Sequence, residues 1–194
     1  RAEVSPQILS TLVTKGIFEN YGKEISRLSN NPLHTESPYP LSPIQQKTYN
    51  EIIDRFSQKE TVLLHGVTSS GKTEIYIHLI DTVLKQGRQV LYLVPEIALT
   101  TQLTTRLQRV FGNKLSIYHS KFTDNERVEI WNDLLHDKGA QIILGVRSSI
   151  FLPFRDLGLV IVDEEHEGSY KQQEPSPRYH ARNAAIVLAS MHGA

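Results

Sequence analysis

The sequence predicts an α/β fold with a mainly parallel sheet between helices. Three observations carry the prediction. Short, nearly all-apolar runs recur at 61–65, 90–94, 115–118, 141–144 and 159–162, and strands that apolar are buried on both faces, as parallel strands are. Between most of these runs lie segments with apolar residues at helical spacing. The first run leads straight into Gly66-Val67-Thr68-Ser69-Ser70-Gly71-Lys72-Thr73, an unbroken G-x-x-x-x-G-K-[ST] pattern that opens a helix.

The elements follow in order. Ser5-Pro6 offers a capping residue and then proline at a first helical position. Ile8, Leu9, Leu12 and Val13 share one face of that helix, and Gly16 ends it. Residues 17–25 are expected as a strand pair turning near Gly22. Residues 29–40 hold three prolines among small polar residues and read as a linker. Ser42-Pro43 starts a helix carrying Ile44, Ile52, Ile53 and Phe56. After strand 61–65 comes a helix with Ile75, Tyr76, Leu79, Ile80, Val83 and Leu84, stopped by Gly87. After strand 90–94, Leu99, Leu103, Leu107 and Phe111 mark a helix stopped by Gly112. Strand 115–118 precedes a helix capped by Asp124 and holding Val128, Trp131, Leu134 and Leu135. Two further strands follow, and residues 180–191 form a closing helix. The chain divides into 1–28, a linker at 29–40, and an α/β domain over 41–194.

Composition excludes several classes. Of 194 residues, 39% are hydrophobic and 22% charged, which suits a soluble fold and not a disordered chain. No apolar run reaches the ~18–20 residues of a membrane span, and no leader for secretion opens the sequence. Cysteine is absent, so disulfides and thiolate zinc sites are impossible in this stretch. The eight histidines show no pair at metal-ligand spacing. Lys+Arg and Asp+Glu balance at 21 each, so any nucleic-acid surface must be a local patch. A first residue of Arg1 in place of Met suggests a piece of a longer chain.

The glycine loop carries the chemistry. Its glycines let backbone N–H groups turn inward around phosphate oxygens, and the helix N-terminus adds partial positive charge. Gly66, Val67, Thr68, Ser69, Ser70, Gly71, Lys72 and Thr73 are the candidate nucleotide-binding residues. Lys72 would reach the β and γ phosphates, and Thr73 would offer its hydroxyl to Mg²⁺. A second element narrows the class. The apolar strand 159–162 ends in Asp163-Glu164-Glu165-His166. Asp163 could hold Mg²⁺ through water, and Glu164 could polarise the attacking water. Lys72, Asp163 and Glu164 are thus the catalytic candidates, with Thr73 and Asp163 at the metal.

With Asp-Glu-x-His after its strand, the chain resembles the helicases of the second superfamily. It resembles more specifically the bacterial replication-restart (primosomal) helicases. The resemblance rests on the phosphate loop through Glu74, Val94-Pro95-Glu96-Ile97-Ala98-Leu99-Thr100 and Tyr118-His119-Ser120. It continues through Gly145-Val146-Arg147-Ser148, the acidic run, Ser169-Tyr170-Lys171-Gln172-Gln173 and Arg178-Tyr179-His180-Ala181-Arg182. It spans nearly the whole chain, with its motifs in the family's order.

The resemblance implies an ATP- and Mg²⁺-dependent 3′ to 5′ DNA helicase that restarts stalled forks and assists primosome assembly. This chain would be the ATP-binding lobe, the first of two RecA-like lobes, truncated here. Residues 1–28 would be a winged-helix remnant, or a linker piece without a role of its own. Gln45, in Leu41-Ser42-Pro43-Ile44-Gln45, looks like the family's upstream glutamine, placed to read the adenine edge; an exposed helix glutamine is the other reading. The family's zinc-binding cysteines belong to a part of the protein outside this stretch, as do the second lobe and its arginine. Implied partners are single-stranded and forked DNA, primosome proteins and single-strand-binding protein, in a bacterial cytoplasm near the nucleoid, with no membrane.

Tyr170, Lys171, Arg178, Tyr179 and Arg182 sit just past the acidic run and could touch single-stranded DNA by stacking and phosphate contacts. A solvated loop is the plainer reading. Arg147 and Ser148, at a strand end, could bind a DNA phosphate or merely cap a helix. Two other function classes stand beside the helicase. One is a P-loop kinase, disfavoured by Gln45 and the acidic run. The other is a partner-docking fragment that hydrolyses nothing, which basal ATPase would separate from an enzyme.

Overall fold

Residues 6–17, 35–67, 70–120, 122–136 and 139–194 are described by a computed structural model. The strand pair expected from residue 17 onward, and the first half of the expected linker, lie outside them. Four described strands form one sheet: β1 (Gln89–Leu93), β2 (Leu115–Tyr118), β3 (Ile142–Gly145) and β4 (Leu157–Val162). All pairings are parallel, in the order β2-β3-β1-β4. The described helices are α1 (Pro6–Thr14), α2 (Pro43–Phe56), α3 (Lys72–Lys85), α4 (Thr101–Phe111), α5 (Asp124–Leu135) and α6 (Ala181–His192).

β1 lies between β3 and β4, and all five of its residues are buried. Its side chains alternate between two cores, as the pleat requires. Val90, Tyr92 and Val94 pack with α2, α3 and α4, while Leu91 and Leu93 pack with α5, α6 and the 3₁₀ segment Arg147–Phe151. Each such apolar side chain contributes about 1.5–3 kcal/mol by leaving water. Burial on both faces is what the continuous apolar runs require.

The register fixes where chemistry can sit. Leu93 lies opposite Gly145 and Val162, so β1, β3 and β4 end together. Ligands of open α/β sheets bind outside such carboxyl ends. The opposite end is stapled by Arg88, which ion-pairs with Asp156 and donates to the carbonyls of Leu157 and His192.

Three expectations are corrected. Residues 61–65 form no strand: the segment has no regular secondary structure, and no ladder pairs it with the sheet. Val62 and Leu64 rest against the core while Leu63 is exposed, so only alternate side chains gain burial. In α2 only Ile52 is buried, and Ile44 is 79% exposed, because the helix meets α3 along a narrow stripe. α5 is capped by Thr123 in a capping box with Glu126 and not by Asp124. Its buried residues are Ile130 and Leu134, which leaves Val128, Trp131 and Leu135 exposed. Both helices show that an apolar residue at helical spacing does not by itself say which stripe faces the sheet.

After β3 the chain turns tightly. A Cβ added to Gly145 would meet Ser149 Cβ at 2.7 Å and would run into its hydroxyl. Ser149 is fully buried, and its Oγ has no hydrogen-bond partner among the described residues. Ser149→Ala should therefore be neutral or stabilising, by up to about 1 kcal/mol, because the unpaired hydroxyl is removed. Gly145→Ala should cost about 1–3 kcal/mol through overpacking. Urea unfolding midpoints check both; a Ser149→Ala loss above ~1 kcal/mol would reveal a partner for the hydroxyl.

Candidate active site

The phosphate loop leads into α3. Thr68 and Ser69 lie outside the described residues. Gly71 is the helix N-cap at φ 80°, and a Cβ there would also strike the side-chain amide of Gln45. Glycine is required on both counts. Lys72 opens α3, and its ammonium is held inside the loop. Nζ donates to the Gly66 carbonyl (2.9 Å) and the Val67 carbonyl (3.4 Å), and lies 3.9 Å from Glu164 Oε1.

The acidic run meets this loop from β4. Asp163 N–H donates to the Leu93 carbonyl at 2.9 Å and carries the pairing one residue past the strand. Glu164 then takes a left-handed φ of 47°, a costly conformation for a non-glycine residue and one often found at functional sites. Its carboxylate lies between Lys72 and His166, 3.8 Å from His166 Nε2.

Both oxygens of Asp163 are engaged. Oδ1 accepts from Glu164 N–H (3.1 Å), and Oδ2 accepts from the Tyr92 hydroxyl (3.1 Å). Burial pushes the Asp163 pKa above the ordinary carboxylate value, with the negative charge of Glu164 adding to it; the two hydrogen bonds and Lys72 act the other way.

Thr73 and Asp163 line a cleft of about 700 Å³ that also takes in the first residues of α4. A hydroxyl and a carboxylate are the oxygen donors Mg²⁺ prefers. Among the described residues no three His, Cys, Asp or Glu side chains gather around a common point.

Several predicted site residues have other roles in this structure. Gln45 closes the capping box of α2: its Oε1 accepts from Ser42 N–H (2.8 Å), while its Nε2 donates to the Gly71 carbonyl (3.2 Å). The amide thus braces the phosphate loop and keeps one hydrogen and one lone pair spare.

Tyr170, expected to stack on bases, is 1% exposed. Its hydroxyl reaches the carbonyls of Asp163 (2.7 Å) and Leu93 (3.1 Å). It supports the strand ends from within the core and cannot meet a base. Arg147, expected on a DNA phosphate, donates to the carbonyls of Ser169 (3.3 Å) and Lys171 (3.1 Å) and so holds the following loop. Arg182 pairs with Glu165 at 2.6 Å. Ser148 and Lys171 are exposed. Arg178 is exposed and pairs with Glu174, and Tyr179 packs edge-on against Phe151 at 5.0 Å. Lys171 and His180 form an antiparallel bridge, and Gln172 N–H donates to the Tyr179 carbonyl, so the loop tip stands off a closed base.

Sequence reasoning missed one cluster. Arg106 of α4 grips both carboxylate oxygens of Glu74, at 2.9 and 2.8 Å. Its guanidinium lies 3.7 Å from the ring centroid of Tyr39, a cation–π contact. His78 Nε2 donates to the Tyr39 carbonyl, and Glu36 N–H donates to the Arg109 carbonyl. Residues 36–39 of the expected linker are therefore docked on α3 and α4. The only signal for this was Glu74, one residue past the phosphate-loop pattern.

Comparison with known proteins agrees with this geometry. The family described as DEAD/DEAH box helicase matches residues 42–190. The chain is similar to proteins named replication restart protein PriA. It is 39% identical to the one from Bacillus subtilis, over 99% of this chain and 24% of that protein. It is 42% identical to that of Synechocystis (96% and 22%) and 42% identical to that of Haemophilus influenzae (96% and 26%). The chain thus spans about a quarter of the length of these relatives. Among solved structures, it matches a nuclease-deletion mutant of the Type ISP restriction-modification enzyme LlaGI in complex with a DNA substrate mimic. The TM-score is 0.54 at 18% identity, over 68% of this chain and 16% of that one. This match concerns the fold, an α/β lobe of the RecA-like kind.

The upward shift at Asp163 has a consequence for stability. A carboxylate whose folded pKa lies above its unfolded value loses stability as pH rises through that interval, because the folded state then gives up a proton it binds more tightly. Asp163→Asn should accordingly raise the melting temperature at pH 7.5. The gain should shrink as pH falls through the folded pKa, where the wild-type carboxyl takes up its proton. Thermal melts at several pH values check this, and a variant less stable than wild type at pH 7.5 would contradict it.

Proposed function

The chain belongs to the DEAD/DEAH box helicase family, and from that premise we propose that it is the ATP-binding lobe of an ATP-dependent DNA helicase acting in replication restart. The supporting observation is that Lys72 and Thr73, from the phosphate loop, and Asp163 and Glu164, from the end of β4, converge although ninety residues separate them at their closest. Mg²⁺, when bound, would neutralise charge on the phosphates. Thr73 and Asp163 would hold it. Lys72 would offset the developing phosphate charge, and Glu164, turned toward Lys72 by its left-handed backbone, would orient the attacking water. Gln45 would couple the α2 end of the site to the loop through Gly71.

The wider activity rests on likeness to the longer PriA proteins. It comprises 3′ to 5′ unwinding, action on single-stranded and forked DNA, and work beside primosome and single-strand-binding proteins in the cytoplasm near the nucleoid. A second lobe would supply the arginine that completes the charge environment, and zinc would belong to another part of the protein. None of the described helices is long and apolar enough to cross a membrane. The DNA-facing candidates that remain exposed are Ser148, Lys171 and Arg178, with Tyr179 half-buried beside them. Arg147 and Arg182 would act indirectly, by holding the loop that presents these groups.

In the full-length protein, Lys72→Ala should lower ATP turnover at least ~100-fold, about 2.7 kcal/mol of barrier, with unchanged circular dichroism. Turnover within about threefold of wild type would defeat the phosphate-loop assignment. Glu164→Gln should keep nucleotide affinity while hydrolysis collapses.

Arg178→Ala combined with Tyr179→Ala should spare DNA-free ATPase and remove most stimulation by single-stranded DNA, read in a DNA titration at fixed salt. Full stimulation in that variant would make the loop a plain surface connection.

A further inference from the structure

Tyr92 carries no expected role. It sits on the central strand, fully buried in a mostly aliphatic core cluster with Tyr76 beside it. Leucine or valine would fill such a position without a polar atom to satisfy. Among the described residues the phenol's hydrogen-bond partner is Asp163 Oδ2 at 3.1 Å. Its ring packs edge-on against Tyr76, with centroids 5.7 Å apart, which helps place the hydroxyl oxygen beside Asp163.

The backbone supplies the rest of the geometry. Tyr92 pairs with Ile161, and the ladder runs on through Leu93 to Asp163 N–H. The two residues thus come from neighbouring strands whose offset is set by backbone hydrogen bonds. Glu164 N–H holds the other carboxylate oxygen. A carboxylate gripped at both oxygens has its plane fixed, and each oxygen keeps a lone pair for other work. Burial, and then the Asp163 charge, push the phenol's pKa far upward, so it stays a donor.

We infer that Tyr92 is a positioning residue for the metal-binding carboxylate, holding Asp163 in the orientation that receives hydrated Mg²⁺. The inference rests on the nucleotide-site reading given above. Tyr92 itself is fully buried and is not among the side chains that line the cleft. It belongs with the outer groups that orient a ligand, whose loss commonly weakens metal binding about 10–100-fold.

The test uses Tyr92→Phe in the full-length protein, which removes one oxygen and keeps the ring. ADP binding is measured with a fluorescent ADP analogue, first in EDTA and then across a MgCl₂ titration. Affinity in EDTA should match wild type, while the Mg²⁺ midpoint should rise roughly tenfold. Tyr76→Phe, a neighbouring buried phenol with no hydrogen bond to Asp163, should leave the midpoint unchanged. In an Asp163→Asn background, Tyr92→Phe should add no further shift, since the effect passes through that carboxylate. A Tyr92→Phe midpoint within about twofold of wild type overturns the inference, as does an equal shift in Tyr76→Phe, which would mark a packing effect. Wild-type ADP binding that ignores Mg²⁺ overturns the metal assignment beneath it, and the wild-type titration alone distinguishes that failure.

Discussion

The parallel pairing of β1 with β4 is the constraint on which the rest depends. It is a backbone interaction between two strands buried from water, where each unpaired amide would cost about 1–3 kcal/mol. Once formed, it leaves no choice about what stands beside what. The Leu93 carbonyl receives the Asp163 amide and also lies within reach of the Tyr170 hydroxyl. The acidic run is therefore anchored from both sides at its first residue. The left-handed turn at Glu164 begins from a fixed point, and its carboxylate arrives near Lys72 because the strand before it cannot slide.

How much of this was legible in the sequence follows from what each pattern encodes. The phosphate loop and the acidic run were legible because their chemistry needs particular residues at fixed spacing. All four strands were legible as short apolar runs; in β1 and β3 burial on both faces writes itself into every position, while β2 and β4 are part-buried but still apolar. The segment 61–65 looked the same by composition, yet a strand is a pairing, and pairing is not a property of one segment. The faces of α2 and α5 were misjudged for a related reason: Ile44 and Trp131 have helical spacing but lie off the stripe that packs against the rest of the domain. Tyr92 and Arg106 carried no local signal, because their partners lie 71 and 32 residues away, and Tyr170 was assigned to DNA when its hydroxyl instead bridges the Asp163 and Leu93 carbonyls.

The charges tell a similar story. A chain with no net charge has few cations to spare, and the fold spends several on itself. Arg88 closes the end of the sheet away from the site, Arg106 holds Glu74, Arg147 holds two loop carbonyls and Arg182 holds Glu165. On the loop past the acidic run the exposed cations are Lys171 and Arg178, while others such as Arg55, Lys59, Lys114 and Arg155 are scattered over the described surface. Attraction to DNA through this lobe would then be local and oriented, with little of the long-range pull of a basic surface.

The strap from Glu36 to Tyr39 bears on how force enters the lobe. It is pinned at Arg109 on α4 and by His78 on α3 before the chain turns into α2. A pull on the chain ahead of Glu36 therefore bears first on α4, and through Arg106 and Glu74 on the helix that begins with Lys72. Force applied at Glu36 is thereby shared between α4 and the helix that begins with Lys72.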